Sequence, residues 1–552
     1  MPSDLADRMT AQLKTAQGTW TLRPIQAQAL REIETTGGLL GPIQVGGGKT
    51  LISLLAPRIL NARRPLLLMP AALIERTRRD QGLLMKHWQI PRNICLYSYE
   101  MLGRVNAAQY LHNTRPDVII ADEAHRLKND KTGVTRRVIR YMRDYPDTRF
   151  IAISGTLLSE SIEDFAHLSA WSLKDGSPLP LEGHDVEEWS KALGEPKGLT
   201  LQTYSPKRLI AAFPSEEGHT EKARARAGVR GRILSTAGVV ASQDEHVSCS
   251  ILLSAIQYTP KPVTLEHFRK LRRDWETPDG WALTNAVDVW RHAKELAIGL
   301  HYIWDPRPPE EWLEARRAWA AFVRGVLQSS HTLDTELQVA NECRAHRLPR
   351  REFDAWQRIK GTFQANTKAI WHDDTALQIC EKWAKKGPGI IWTKQTFFAQ
   401  ELVRRTGLDY YGSEGLNQRG QHIEQGDPRK CIVASIDANC TGMNLQPWCR
   451  NLLTSTPGGA TKWEQLLGRT HRHGQKADSV TFDVLLGCRE HHEGLDRSIG
   501  KARAIQETIG HSQKILLADI VWPALRDLGN DSRWEDNGIV DDGKRVTLWD
   551  QS

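Results

Sequence analysis

What this sequence lacks narrows it before any motif is read. None of its eight cysteines forms a C-x-x-C pair, which argues against a zinc module or a disulfide framework. Buried thiols in a reducing cytoplasm are the expectation. The richest apolar run, residues 66–74, is interrupted by Pro70 and is far too short to span a bilayer. The N-terminal residues are polar and mixed in charge, so no secretory signal is expected. No internal repeat, low-complexity tract or long lysine–arginine block is present. The net charge of +8 therefore favours a polyanionic partner only weakly.

What is present is ordinary in bulk. A chain of 552 residues is long enough for two or three domains with full cores. Forty per cent apolar and 25% charged residues argue against global disorder.

The information is local. Val118-Ile119-Ile120-Ala121 is a short apolar run of the kind that makes a buried parallel strand, and it stops on Asp122 and Glu123. At the carboxyl end of such a strand both acids would project into a ligand site. Asp122 can hold a magnesium ion through water while Glu123 orients and deprotonates an attacking water. The bland alternative is that the two acids begin a solvated helix.

Upstream, Leu39–Thr50 reads LLGPIQVGGGKT and passes into an apolar run. Gly46, Gly47 and Gly48 free the backbone to turn its amides around phosphate oxygens, and the following helix aims its positive end at the same anion. Lys49 would reach the β- and γ-phosphates, and the Thr50 hydroxyl would ligate magnesium. Position 43 is Ile43 rather than the usual glycine, so the match is to G-x-G-K-T only.

Asp122-Glu123-Ala124-His125 resembles the DEAH form of the helicase acid box. Its continuation, Arg126-Leu127-Lys128-Asn129, resembles the Swi/Snf-type branch of the superfamily-two helicase-like ATPases. That resemblance implies roles elsewhere. Arg23 and Gln26, in an R-P-x-Q stretch, would recognise the nucleotide, with the carboxamide reading adenine. The loop closed by Pro70 would touch the nucleic-acid backbone. Ser154-Gly155-Thr156 is similar to the third helicase motif, whose hydroxyls Ser154 and Thr156 couple the nucleotide site to the DNA-binding loops. Gly442, Asn444 and Leu445 match a second-lobe coupling motif, although Asn439 and Cys440 stand where the family prefers glycines. Residues 465–475 fit Q-x-x-G-R-x-H-R-x-G-Q at every specified position, which implicates Gln465, Arg469 and Arg472. Guanidinium stays charged and can fork onto two phosphate oxygens, and a three-residue separation puts Arg469 and Arg472 on one helix face.

Between about 170 and 365 clear motifs stop. Ten of the 19 tryptophans fall between 271 and 400, often beside arginines. Trp312, Ala315, Trp319, Phe322 and Val326 follow an amphipathic-helix stripe, so core packing is expected over base stacking. Arg269, Lys270, Arg272 and Arg273 form the densest basic cluster there and are the expected phosphate contacts. His471, His473, Cys488, His491 and His492 fit no standard zinc spacing, so no metal site is expected among them.

The expected fold is α/β: two RecA-like parallel-sheet lobes with a mostly helical insertion. The expected divisions are residues 1–170, 171–364, 365–515 and a tail over 516–552. The resemblance implies a cytoplasmic ATP- and Mg2+-dependent translocase on duplex or branched DNA, with RNA possible and no membrane partner. Small size and the absence of appended modules point to a bacterial or viral source. A strand-separating helicase, a restriction-system motor and a catalytically silent nucleic-acid scaffold remain alternatives.

Overall fold

In the computed structural model the described residues are 2–43, 47–130, 132–155, 161–194, 205–218, 220–242, 249–283, 286–330, 332–364, 366–440, 442–472, 474–509, 513–522, 539–541 and 544–546. The first sheet holds β1 (Leu39–Gly41), β2 (Pro65–Met69), β3 (Cys95–Ser98), β4 (Val118–Asp122) and β5 (Arg149–Ile153) in the order β1-β5-β4-β2-β3. Every pairing in it is parallel. β4 is buried at all five positions, which is why its first four residues, Val118 to Ala121, are apolar rather than alternating. Val118 and Ile120 pack on one face with Leu67 and Ile151. Ile119 and Ala121 pack on the other with Leu66, Leu68 and Phe150. Each fully buried branched side chain is worth about 1.5–3 kcal/mol. Asp122 pairs with Ile153 in register, so the acid pair and Ser154 leave the sheet at the same carboxyl edge.

The following strands are β6 (Ser250–Gln257), β7 (Leu300–Trp304), β8 (Thr367–Trp371), β9 (Gly389–Thr393), β10 (Tyr410–Tyr411), β11 (Cys431–Ser435), β12 (Arg450–Leu453), β13 (Ser479–Leu486) and β14 (Asp519–Val521). The second sheet runs β10-β11-β9-β12-β13-β6-β14 and is also parallel throughout. The molecule is thus α/β with two parallel-sheet lobes of the RecA-like kind.

The middle of the chain is divided differently from the expectation. β6 pairs with β13 along eight residues, so the second sheet draws an interior strand, next to its edge, from the segment expected to be an insertion. β14 joins it from the segment expected to be a tail. Residues 238–240 run beside β1, with Leu40 N–H donating to the Gly238 carbonyl at 2.8 Å and Val240 N–H to the Leu40 carbonyl at 3.1 Å. That portion therefore belongs to the first lobe. What is inserted is smaller: the antiparallel pair β7–β8 and, between its strands, helices Glu310–Ser329, Glu336–Arg344 and Arg351–Ile359. Trp312 and Trp319 are buried there, and the Trp319 indole donates to Glu336 at 2.6 Å.

This helical arm docks back on the first lobe. Arg137 and Arg140, on the helix Gly133–Asp144 that follows the acid pair, hold the buried Asp334 at 3.1 and 2.7 Å. Residues 539–541 and 544–546 form a short antiparallel pair. Among the described residues no helix is long and apolar enough to cross a membrane.

Candidate functional site

The carboxyl edge of the first sheet carries the helix Lys49–Ile59, and Gly48 caps it with φ +76°. The left-handed conformation at Gly48 favours glycine, and a Cβ there would also lie 2.1 Å from Gln26 Nε2 and displace that side chain. Gly46 and Thr156 lie outside the described residues. Gly47 precedes the cap, and Thr50 is the second helical residue, partly exposed. Gln26 is engaged within the protein at both polar atoms. Its Oε1 accepts from the Arg23 backbone N–H at 2.9 Å, and its Nε2 donates to the Gly48 carbonyl at 3.3 Å. Here the carboxamide braces the glycine loop, while the Arg23 side chain is exposed.

Lys49 Nζ lies 3.6 Å from Glu123 Oε1. Glu123 adopts the left-handed conformation, φ 58° and ψ 48°, an uncommon state for a residue with a Cβ and one that concentrates at functional sites. It turns the chain sharply, so that Asp122 and Glu123 both face the edge, with Glu123 N–H donating to Asp122 Oδ1 at 3.1 Å. Ser154 Oγ donates to Glu123 Oε2 at 3.1 Å. His125 Nδ1 lies 2.8 Å from Ser154 Oγ and 3.3 Å from Glu123 Oε2. Gln465 Nε2, from the second lobe, approaches His125 Nε2 at 3.5 Å.

The two carboxyls are electrostatically unlike. Burial and the neighbouring Glu123 charge push Asp122 up to about 7, against the opposing pull of Lys49. Burial acts upward on Glu123 too, but Lys49, the His125 hydrogen bond and Arg469 outweigh it and hold Glu123 well below the usual carboxylate range. One acid is kept ionised, and the other is poised for a cation.

The second lobe faces this edge with the helix Ala460–Thr470. Arg469 is 2% exposed, donates to the Gln465 carbonyl at 2.8 Å and the Met443 carbonyl at 3.0 Å, and contributes to the field on Glu123. Arg472 donates to Asn444 Oδ1 and, at 3.4 Å, to the Met443 carbonyl. Burial, then Arg469 and Arg76, push Arg472 down to about 10. Gly442 has φ +76°, and a Cβ there would meet Leu73 of the first lobe at 2.5 Å. This close seam was not foreseen, and neither was Arg76, which reaches across it to Glu424 at 3.0 Å. Arg76 belongs to no motif, and only proximity in the fold reveals it.

Within the basic cluster of the middle segment, the expectation for Arg272 is corrected. Arg272 is 5% exposed and forks onto Glu490 at 2.9 and 2.7 Å, so it is a buried structural ion pair and not a phosphate contact. Arg269, Lys270 and Arg273 are paired with Glu266, Glu276 and Asp274 respectively. His471 Nε2 is bonded to the Cys249 carbonyl at 2.8 Å.

Asn439 and Cys440, standing where the related motif prefers glycines, serve packing. Asn439 donates to the Tyr411 carbonyl at 2.9 Å and the Ser435 carbonyl at 3.0 Å.

No curated protein sequence matches the chain. Residues 67–172 match the family model for an SNF2-related domain. The match spans β2 to β5, and therefore the acid pair, and stops within the helix Ala166–Leu173. The glycine-rich segment before Lys49 and the second lobe lie outside it. Residues 67–172 are thus similar to an SNF2-related domain, which belongs to the superfamily-two helicase-like ATPases.

Proposed function

We propose that this chain is an ATP-driven motor that hydrolyses ATP between its two lobes and moves on duplex DNA. The observation that carries the reading is the Lys49–Glu123 pair beside Asp122 in one lobe, with Gln465 of the other lobe reaching within 3.5 Å of His125. A single lobe holds only part of that set.

In this reading the amides of Gly46, Gly47 and Gly48 cradle the phosphates, and Lys49 Nζ leaves Glu123 for the β- and γ-oxygens. Glu123, freed of that ion pair and still oriented by Ser154 and His125, positions the attacking water and accepts its proton. Arg469 and Arg472 offset charge that builds on the transferring phosphoryl group. Gln465 reports closure to His125, and Ser154, Thr156 and Gly442 couple the cleft to the nucleic-acid track.

Magnesium fits the acid side of this site. Asp122 is 5% exposed and its carboxyl is held up near 7, a buried acid whose charge a divalent cation would compensate, with the Thr50 hydroxyl as a second ligand. When bound, Mg2+ neutralises charge on the β- and γ-phosphate oxygens.

Duplex DNA is favoured because the residues after the acid box resemble translocases that move without separating strands. The test compares ATP turnover with duplex, forked and single-stranded DNA and with RNA, alongside strand release from forks. Stimulation by duplex without release supports translocation. Release from forks supports a helicase, and stimulation by RNA alone moves the track to RNA.

A further inference from the structure

The tripeptide Gly442-Met443-Asn444 is bonded from three directions by guanidinium groups. Arg76 Nη1, from the first-lobe helix Ala71–Leu84, donates to the Gly442 carbonyl at 3.0 Å. Arg469 Nη1 donates to the Met443 carbonyl at 3.0 Å, and Arg472 reaches both that carbonyl and Asn444 Oδ1. The Asn444 backbone N–H donates to Glu424 Oε1 at 2.6 Å, and the same oxygen accepts from Arg76 Nη1 at 3.0 Å. A continuous path of hydrogen bonds therefore runs from Arg76 through Glu424 and Asn444 to Arg472, crossing from one lobe to the other. The seam is tight as well as polar, because Gly442 leaves no room for a side chain against Leu73.

Three like charges gathered in one place repel one another. Arg469 and Arg76 both disfavour the charged form of Arg472, and Glu424 is the acid that offsets them. Arg76 is anchored at its other side by Asp80, 3.7 Å away and one helical turn on. The side chains of Arg76 and Glu424 are 33% and 25% exposed, so their pair is only partly shielded and can exchange when the lobes move.

We infer that Arg76 is a positioning residue for ATP hydrolysis, holding the 442–444 loop so that Arg469 and Arg472 meet the phosphates only when the lobes are closed. This rests on the ATPase reading above and adds to it a first-lobe residue that no motif contains. Arg76 touches no substrate in this role. It acts through Glu424 and the loop, six residues after the proline that closes the first lobe's expected nucleic-acid loop, so engagement of the track and orientation of the arginines share one helix.

The test uses the full chain with Arg76→Ala, Arg76→Lys, Glu424→Gln and the Arg76→Ala/Glu424→Gln double variant. DNA-stimulated kcat, KM for ATP and thermal melting are measured for each. Arg76→Ala is expected to lower kcat on the order of ten-fold, the size of one charged hydrogen bond, with KM and melting little changed. Arg76→Lys should recover part of the loss, and the double variant should fall no further than the worse single, because both interrupt one path. Parent-like kcat in Arg76→Ala overturns the inference. So does a loss that appears equally in KM and melting, or losses that multiply in the double variant. A parent protein without ATPase activity on any nucleic acid overturns the ATPase reading itself, and this inference falls with it.

Discussion

Lys49 and Glu123 face each other at 3.6 Å, each nearly buried, at the carboxyl edge of the first sheet. The cation that should meet phosphate thus neutralises the acid that should activate water. Removing either partner has a distinct consequence. Lys49→Ala is expected to weaken productive ATP binding, because the phosphate charge loses its nearest cation. Glu123→Gln should preserve ATP binding and abolish turnover. Nucleotide titration beside a turnover assay separates the two, and parent-rate hydrolysis by the Glu123→Gln protein would remove Glu123 as the base.

Asp122 supplies a pH prediction. Burial and Glu123 raise its folded-state value to about 7 from the ordinary carboxylate range. A raised carboxyl contributes stability that is fully present below its unfolded value and is lost as pH rises through about 7. Asp122→Asn should therefore raise the melting temperature of the metal-free protein at pH 8 and have little effect near pH 4. Melting curves of both proteins across that range check the sign. The reverse order would mean that Asp122 is not the strained acid.

Arg272 is predicted to matter for folding and not for the track. Cutting it to alanine leaves Glu490 buried and unpaired, which costs about 3–5 kcal/mol. DNA affinity of the folded Arg272→Ala protein at matched salt should equal the parent's. Urea denaturation and a binding titration give the two numbers, and weaker binding with unchanged stability would restore the phosphate-contact reading.

The helical arm gives a parallel case. Trp319 is 3% exposed among Phe322 and Phe353, and Trp312 meets Trp304, Trp356 and Phe363. Trp312→Ala and Trp319→Ala should each cost about 3–5 kcal/mol of stability. Unchanged melting together with sharply weaker DNA binding would make them a stacking surface instead.

The residues nearest the expected chemistry were legible because their signals are short and local. A glycine run before a lysine and two acids ending an apolar strand each carry their physical reason within a dozen residues. β6 was not legible. Its sequence, SILLSAIQ, mixes hydroxyl and apolar side chains, and its pairing partner lies more than two hundred residues away. Arg272 misled for a related reason. Read as a run, it is one of several bases. On the helix it shares a face with Phe268, over whose ring it sits at 4.6 Å, and that face is inside. The Arg76–Glu424 contact joins elements 348 residues apart and has no sequence signature at all.

The central claim is that the two lobes build one hydrolytic site, and Arg472 tests it most directly. An arginine supplied across the cleft stabilises charge that develops only in the transition state, a contribution on the order of 10³–10⁵ in rate. Measured as DNA-stimulated turnover and ATP affinity at matched salt, Arg472→Ala should lose turnover on that scale while ATP affinity changes little. Stimulated turnover at the parent rate would contradict the two-lobe site.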